Sequence, residues 1–215
     1  MEQAARITKT EAIIFDYGFV IVGPLDWAAF EADLLELARE HSFEHGRDLW
    51  NHFYISEAWE QAKRGRISHQ EFWAERLAAL GIVDEAGRAA FKARLYRHWG
   101  LIPAMRDLLL ELRGRYRLAI LSNTSRRNFE RYISERRGLK GIFDVVISSA
   151  EEGLAKPEPS FYRLALERLK VEPQQALFID DQRRNTDAAE ALGIPSIVFT
   201  TPQSLREELK RRGIL

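Results

Sequence analysis

The stretch ALFIDDQRRNTDAAEALGI at residues 176–194 decides the fold. An apolar run, Ala176–Ile179, stops at the carboxylate pair Asp180-Asp181. A helical pattern over Asn185–Leu192 follows and ends at Gly193, with Pro195 beyond. A short apolar run of this kind reads as a buried strand, and its polar end as the turn that leaves it. Glycine just past a periodic segment, with proline after it, stops a helix. The same strand signature occurs at Ala12–Phe15, ending in Asp16-Tyr17-Gly18, and at Leu118–Leu121, ending in Ser122-Asn123. It recurs at Ser196–Phe199, ending in Thr200-Thr201-Pro202, and more weakly at Val145–Ile147, ending in Ser148-Ser149.

Helical patterns separate these strands. Met105–Leu112 is stopped by Gly114, and Phe161–Leu169 follows Pro157 and Pro159. The capping-box spacing Ser204-Leu205-Arg206-Glu207 is expected to open the last helix. Strands alternating with helices of this length predict an α/β fold with a doubly wound, mostly parallel sheet covered on both faces. One segment breaks the alternation. From Pro24 to Trp99 the patterns are helical, with Trp27, Phe30, Leu34 and Leu37 on one face and a capping box at Ser68–Glu71. All five tryptophans (27, 50, 59, 73 and 99) fall in this segment. The expected division is a core of residues 1–23 and 100–215 with a helical insert at 24–99.

Composition narrows the function. The 215 residues carry 32 Lys+Arg against 32 Asp+Glu, so no basic field exists to hold nucleic acid or an anionic membrane. With no cysteine, disulfides, thiolate metal sites and a cysteine nucleophile are excluded. The polar segment Met1–Lys9 shows no signal peptide, and the apolar runs are far shorter than a membrane span. A cytoplasmic protein is expected, monomeric or homodimeric.

In an open parallel sheet, ligands bind beyond the carboxyl ends of the strands. Taken singly, the polar strand ends have ordinary readings: Asp16 as an Asx turn, Ser122-Asn123 as a helix cap, Lys156-Pro157 as a loop. Asp180-Asp181 is harder to dismiss, because adjacent carboxylates repel unless a cation or donors sit nearby. The ordered set, in IIFDYGFVIV (13–22), LAILSNTS (118–125), LAKPEPSFY (154–162) and ALFIDDQRRNTDAAEALGI (176–194), resembles the haloacid dehalogenase superfamily of hydrolases. The likeness is to its sugar-phosphate phosphatase branch, whose first motif reads Asp-x-Gly. It implies a Rossmann-like core, and it makes the insert a helical cap. It also implies a Mg²⁺-dependent phosphatase of small phosphorylated metabolites, sugar phosphates and anomeric 1-phosphates among them. In that reading Asp16 is the nucleophile. Asp16, Asp181 and the Gly18 carbonyl ligate Mg²⁺, and Asp180 acts directly or through water. Ser122 and the Asn123 amide hold phosphoryl oxygens, and Lys156 neutralises the transferring group.

One departure matters. The superfamily's phosphatases usually carry an acid two residues past the nucleophile, and here that position is Gly18. Glu57, Glu60, His69 and Glu71 are candidate stand-ins. Two other readings stay open: a metal-free 2-haloacid dehalogenase using Asp16 on carbon, and a non-catalytic binding protein on the same fold. Among remaining features, His41 and His45 are spaced to share a helix face, as metal ligands do, but read as surface histidines. Arg126-Arg127 reads as a solvated helix start that could also meet a substrate anion, and Lys63-Arg64-Gly65-Arg66 is a short basic loop in the insert that the resemblance implies can face the site. The twelve aromatics from Trp27 to Trp99 read as the interior of the insert, with some free to stack on a sugar or form a dimer face.

Overall fold

The fold is built around β1 (Ala12–Phe15), whose four residues are all fully buried. It lies in the middle of a five-stranded sheet with β4 (Arg117–Ser122), β5 (Val145–Ser148), β6 (Ala176–Asp180) and β7 (Ser196–Val198), in the order β5-β4-β1-β6-β7. Every pairing in this sheet is parallel. The computed structural model describes residues 9–125, 127 and 129–215. No helix among them is long and apolar enough to cross a membrane.

A central parallel strand buries both faces, which is why its sequence is an unbroken apolar run. Ile13 and Phe15 face one cluster with Met105, Leu108 and Leu112 of α6 (Pro103–Leu112) and Phe129 and Ile133 of α7 (Phe129–Arg137). Leu205 and Leu209 of α11 (Pro202–Arg211) complete that side. Ala12 and Ile14 face the opposite cluster with Phe161, Tyr162 and Ala165 of α9 (Pro159–Leu169) and Ala189 of α10 (Arg183–Glu190). The short α8 (Ser149–Glu152) follows β5 directly.

Helices α1 (Trp27–Glu40), α2 (Gly46–Tyr54), α3 (Glu57–Lys63), α4 (His69–Ala78) and α5 (Glu85–Leu95) occupy the segment that breaks the alternation. They bury their own cluster, with Phe30, Leu37, Phe53, Phe72, Trp73, Leu77 and Phe91 inside. A two-stranded antiparallel ribbon, β2 (Val22–Pro24) with β3 (Trp99–Leu101), joins the two ends of this segment.

Several local expectations change. Trp27 does not share the burial of Phe30, Leu34 and Leu37; it is 53% exposed and stacks on Phe19 at 5.9 Å. The last helix starts earlier than the Ser204 capping box implies, because the Thr201 hydroxyl already accepts from the Ser204 N–H and Pro202 suits a first helical position. His41 and His45 do not share a helix: the first caps the end of α1 and the second precedes α2.

Candidate active site

Register brings the polar strand ends together. Phe15 pairs with Ile179 on one side and Ile120 on the other. Asp16 therefore emerges beside Asp180, with Ser122 at the end of the neighbouring strand. The chain leaves β1 towards β4 and leaves β6 towards β7, so β1 and β6 flank the point where the sheet's winding reverses. That is where open α/β sheets bind ligands.

Lys156 holds the centre. Only 1% exposed, its Nζ lies 2.8 Å from Asp16 Oδ1 and 2.7 Å from Asp180 Oδ2. Burial alone would pull this ammonium down, but the two carboxylates more than offset that and hold it above its ordinary value. The Lys156 backbone is clamped by Asn123, whose side chain accepts from the Lys156 N–H at 2.8 Å and donates to its carbonyl at 2.9 Å. This clamp holds the Asn123 side-chain amide against the Lys156 loop. Asp180 is fully buried, and Oδ1 accepts from the Gln182 N–H at 2.8 Å and from Asn185 Nδ2 at 2.9 Å. Thr124 is pinned to Ser149, whose hydroxyl accepts from its N–H and donates to its carbonyl.

Negative charge outweighs that one ammonium. Carboxylate oxygens of Asp16, Asp180 and Asp181 lie within 4.8 Å of one another. Asp181 Oδ1 is buried and has no hydrogen-bond partner. Burial, with Asp180 and Asp181 nearby, pushes Asp16 up to about 7 against the pull of Lys156. Burial and Asp180 push Asp181 up to about 6. Three crowded carboxylates, one with an orphaned buried oxygen, are a donor set suited to a hard divalent cation.

Asp16 and Asp181 line a cavity of about 330 Å³ that includes Gly18, Ser122, Asn123 and Lys156. A Cβ at Gly18 would meet nothing within 4 Å, so the space where an acid would stand is open. None of the four candidate stand-ins lines this cavity. Glu57 and Glu60 border an adjoining outer groove, Glu71 closes the capping box with Ser68, and His69 Nδ1 sits 2.5 Å from Ser125 Oγ. Burial, then Arg127 and Lys92, lower His69 to about 4, so it bridges α4 to the strand-end loop as a neutral ring. The basic loop also turns elsewhere. Lys63 pairs with Glu60 at 2.6 Å, and Arg64 reaches Glu158, just before α9, at 2.6 Å. Arg127 does line the cavity, whereas Arg126 lies outside the described residues.

Sequence reading missed Asn185, although its place five residues past Asp180 sets it in the first turn of the following helix. It also missed Phe19. This residue holds a left-handed backbone, φ 59°, next to Gly18. For a bulky side chain that costs about 1 kcal/mol or more, and it is sustained where surrounding contacts over-determine it. Here the ring meets Trp99 edge-on at 4.8 Å and Trp50 at 5.6 Å.

A family model for haloacid dehalogenase-like hydrolases matches residues 8–193. A sesquiterpene phosphatase of Aspergillus oryzae is 27% identical over 160 residues, which cover 73% of this chain and 79% of that protein. An (S)-2-haloacid dehalogenase of Xanthobacter autotrophicus is also 27% identical, over 93% of this chain and 79% of its own length. By contrast, the match to mouse acyl-CoA dehydrogenase family member 10, 41% identical over 68 residues, spans only 6% of that protein. Among solved structures, a haloacid dehalogenase family enzyme of Bacteroides thetaiotaomicron, in complex with magnesium and inorganic phosphate, superposes with a TM-score of 0.67. It is 22% identical and is matched over 89% of this chain and 94% of its own, a likeness of fold. The sheet order, the polar residues at the strand ends and the extent of the family match agree: this chain belongs to the haloacid dehalogenase-like hydrolases.

Proposed function

We propose that this hydrolase is a Mg²⁺-dependent phosphatase of small phosphate monoesters, with residues 24–99 acting as a cap over a core of 1–23 and 100–215. The observation that carries this is the trio Asp16, Asp180 and Asp181, within 4.8 Å and with Asp181 Oδ1 buried and unpartnered. A 2-haloacid dehalogenase attacking carbon has no call for that excess of carboxylate. The phosphatase relative from Aspergillus oryzae supports the same reading.

In this reading Asp16 attacks phosphorus. Its carboxylate oxygen forms a bond to phosphorus as the bond to the leaving oxygen breaks, and that oxygen departs with the electron pair and takes a proton from water. Water then attacks phosphorus in the aspartyl-phosphate, releasing inorganic phosphate and restoring the carboxylate. Ser122 and the Asn123 backbone N–H hold phosphoryl oxygens, and Lys156 offsets their charge. Asp16, Asp181 and the Gly18 carbonyl would hold Mg²⁺, which when bound screens the carboxylates from the incoming phosphate. Both oxygens of Asp180 already accept hydrogen bonds, so it would act through water while it orients Lys156 and Asn185.

Proton and metal compete for the same oxygens. A carboxyl raised to about 7 or 6 keeps its proton at pH 5.5 and has largely lost it by pH 7.5. Calorimetric titration should therefore show Mg²⁺ binding at least about tenfold tighter at pH 7.5 than at pH 5.5. Affinity independent of pH over that span would contradict the site.

The open space at Gly18 gives a second test. Gly18→Asp should fit, since a Cβ there meets nothing and the backbone is not left-handed. Restoring an acid should raise kcat on alkyl phosphates more than on aryl phosphates, within the ~10²–10⁴ that general acids supply. Equal effects on both classes would show that another group already delivers the proton.

A further inference from the structure

We propose that the leaving group this cavity receives is aryl: the substrate class is the phosphate monoester of an apolar, phenol-type alcohol, rather than the sugar phosphate expected from the sequence. The proposal rests on the phosphatase reading above and names its substrate class.

The walls of the cavity divide by origin. Its charged residues, Arg127, Arg137 and Arg184 as well as Asp16, Asp181 and Lys156, come from the strand ends and the segments that follow them, where a phosphate would sit. Among the described residues, those of the 24–99 segment that line it are Trp50, Tyr54, Trp59, Tyr96 and Trp99, and all five are aromatic. The hydroxyls of Tyr54 and Tyr96 are bonded to each other. A sugar's C–H face can stack on such a wall, but any hydroxyls turned towards it would lose water and gain few partners, which polar groups tolerate poorly on burial. Flat aromatic faces are what such a wall receives well.

Phe19 extends the wall towards the nucleophile. Its left-handed backbone is retained three residues from Asp16, where it sets the ring among Trp27, Trp50 and Trp99. A bulky residue in that conformation at the mouth of a site is a built feature, since strain persists where the surroundings enforce it. An outer groove of about 1150 Å³ shares Phe19, Trp50, Tyr54 and Trp59, together with Gln182 and Arg184, with this cavity. A fused ring system therefore has space to extend outward.

The chemistry at Gly18 points the same way. No acid stands at that position, and none of the cap carboxylates reaches the cavity. A primary sugar alkoxide leaves poorly without a proton, and an anomeric one still leaves less readily than a phenoxide. A phenoxide leaves with the electron pair of the breaking phosphorus–oxygen bond and takes its proton from water afterwards. One class of leaving group meets both the aromatic wall and the missing acid.

The test compares 2-naphthyl phosphate with phenyl phosphate, whose leaving groups are similarly acidic, and with glucose 1-phosphate. With Mg²⁺, kcat/KM for 2-naphthyl phosphate should exceed that for phenyl phosphate by about tenfold or more, since each added apolar carbon in such a pocket discriminates strongly. It should exceed that for glucose 1-phosphate as well. Phe19→Asn suits the left-handed backbone but removes the ring, so it should bring the naphthyl-to-phenyl ratio towards one. Trp50→Leu should do the same by an independent route. A wild-type ratio near one, or a higher value for glucose 1-phosphate, overturns the aryl assignment and leaves the phosphatase reading standing. If no phosphate is released from any of the three, the phosphatase reading fails. Tryptophan quenching by 2-naphthyl phosphate then decides the cavity's preference: saturable quenching, reduced in Phe19→Asn, supports it, and no quenching overturns it.

Discussion

Asp16→Asn should lower phosphate release by more than about 10³-fold while leaving the fold intact. The amide keeps the shape of the carboxylate at the end of β1 but cannot form the phospho-enzyme, and losing a nucleophile typically costs several orders of magnitude. The stability expectation runs opposite to the activity. Asp16 is 8% exposed, and burial beside Asp180 and Asp181 has pushed it up to about 7. Removing its charge relieves repulsion, and Lys156 keeps its contact with Asp180 at 2.7 Å. In metal-free buffer at pH 8, thermal unfolding of Asp16→Asn should therefore match or exceed the wild-type midpoint. A clean preparation with near-wild-type turnover would remove Asp16 from the chemistry.

Lys156→Met should be the most destabilising single change at the site. Its Nζ is the cation that touches both Asp16 and Asp180, and it is buried with them. Deleting one partner of a buried ionic cluster strands the other charges, at about 3–5 kcal/mol. For a domain of this size that corresponds to a midpoint lower by roughly 6–20 °C. The loss should shrink in acid. Asp16 and Asp181 sit above their ordinary values even with Lys156 present, and Lys156 lowers both. Without it they rise further. A carboxyl whose folded value lies above its unfolded one binds its proton more readily when folded, so acid favours the fold and the penalty grows as pH rises through 6 and 7. Melting Lys156→Met at pH 5.5 and pH 8 should show the larger deficit at pH 8. Equal deficits would mean that the stranded carboxylates are not its cause.

The parts of this molecule that were legible in the sequence are those where burial acts on consecutive residues. Ala12–Phe15 and Ala176–Ile179 are unbroken apolar runs because both faces of the sheet are covered, and parallel register then places Asp16 and Asp180 side by side without further information. The ribbon was not legible. Val22-Gly23-Pro24 and Trp99-Gly100-Leu101 are three residues each with Gly at the centre, and the first ends in Pro, residues that strands disfavour; they pair because the ends of the helical segment must meet. Side-chain clamps were hidden for a related reason. Asn123 reads as a cap residue until the Lys156 loop is brought 33 residues back to it. The aromatics were legible as interior, but not which of them face the cavity. Phe53 and Trp73 are buried within the helical segment, whereas Trp50 and Trp59 turn to the Asp16 side, and only the packing of α2 and α3 against their neighbours separates them.

Phosphate release before and after chelation decides whether this enzyme is a phosphatase whose carboxylate trio holds Mg²⁺. Activity should vanish in excess EDTA, return when Mg²⁺ is added in excess of the chelator, and fail to return in Asp181→Ala, which deletes the residue with the orphaned oxygen. Phosphate release unchanged by EDTA would mean that Asp16, Asp180 and Asp181 hold no metal needed for turnover. Chelator-insensitive halide release from a 2-haloacid would make the enzyme a dehalogenase instead.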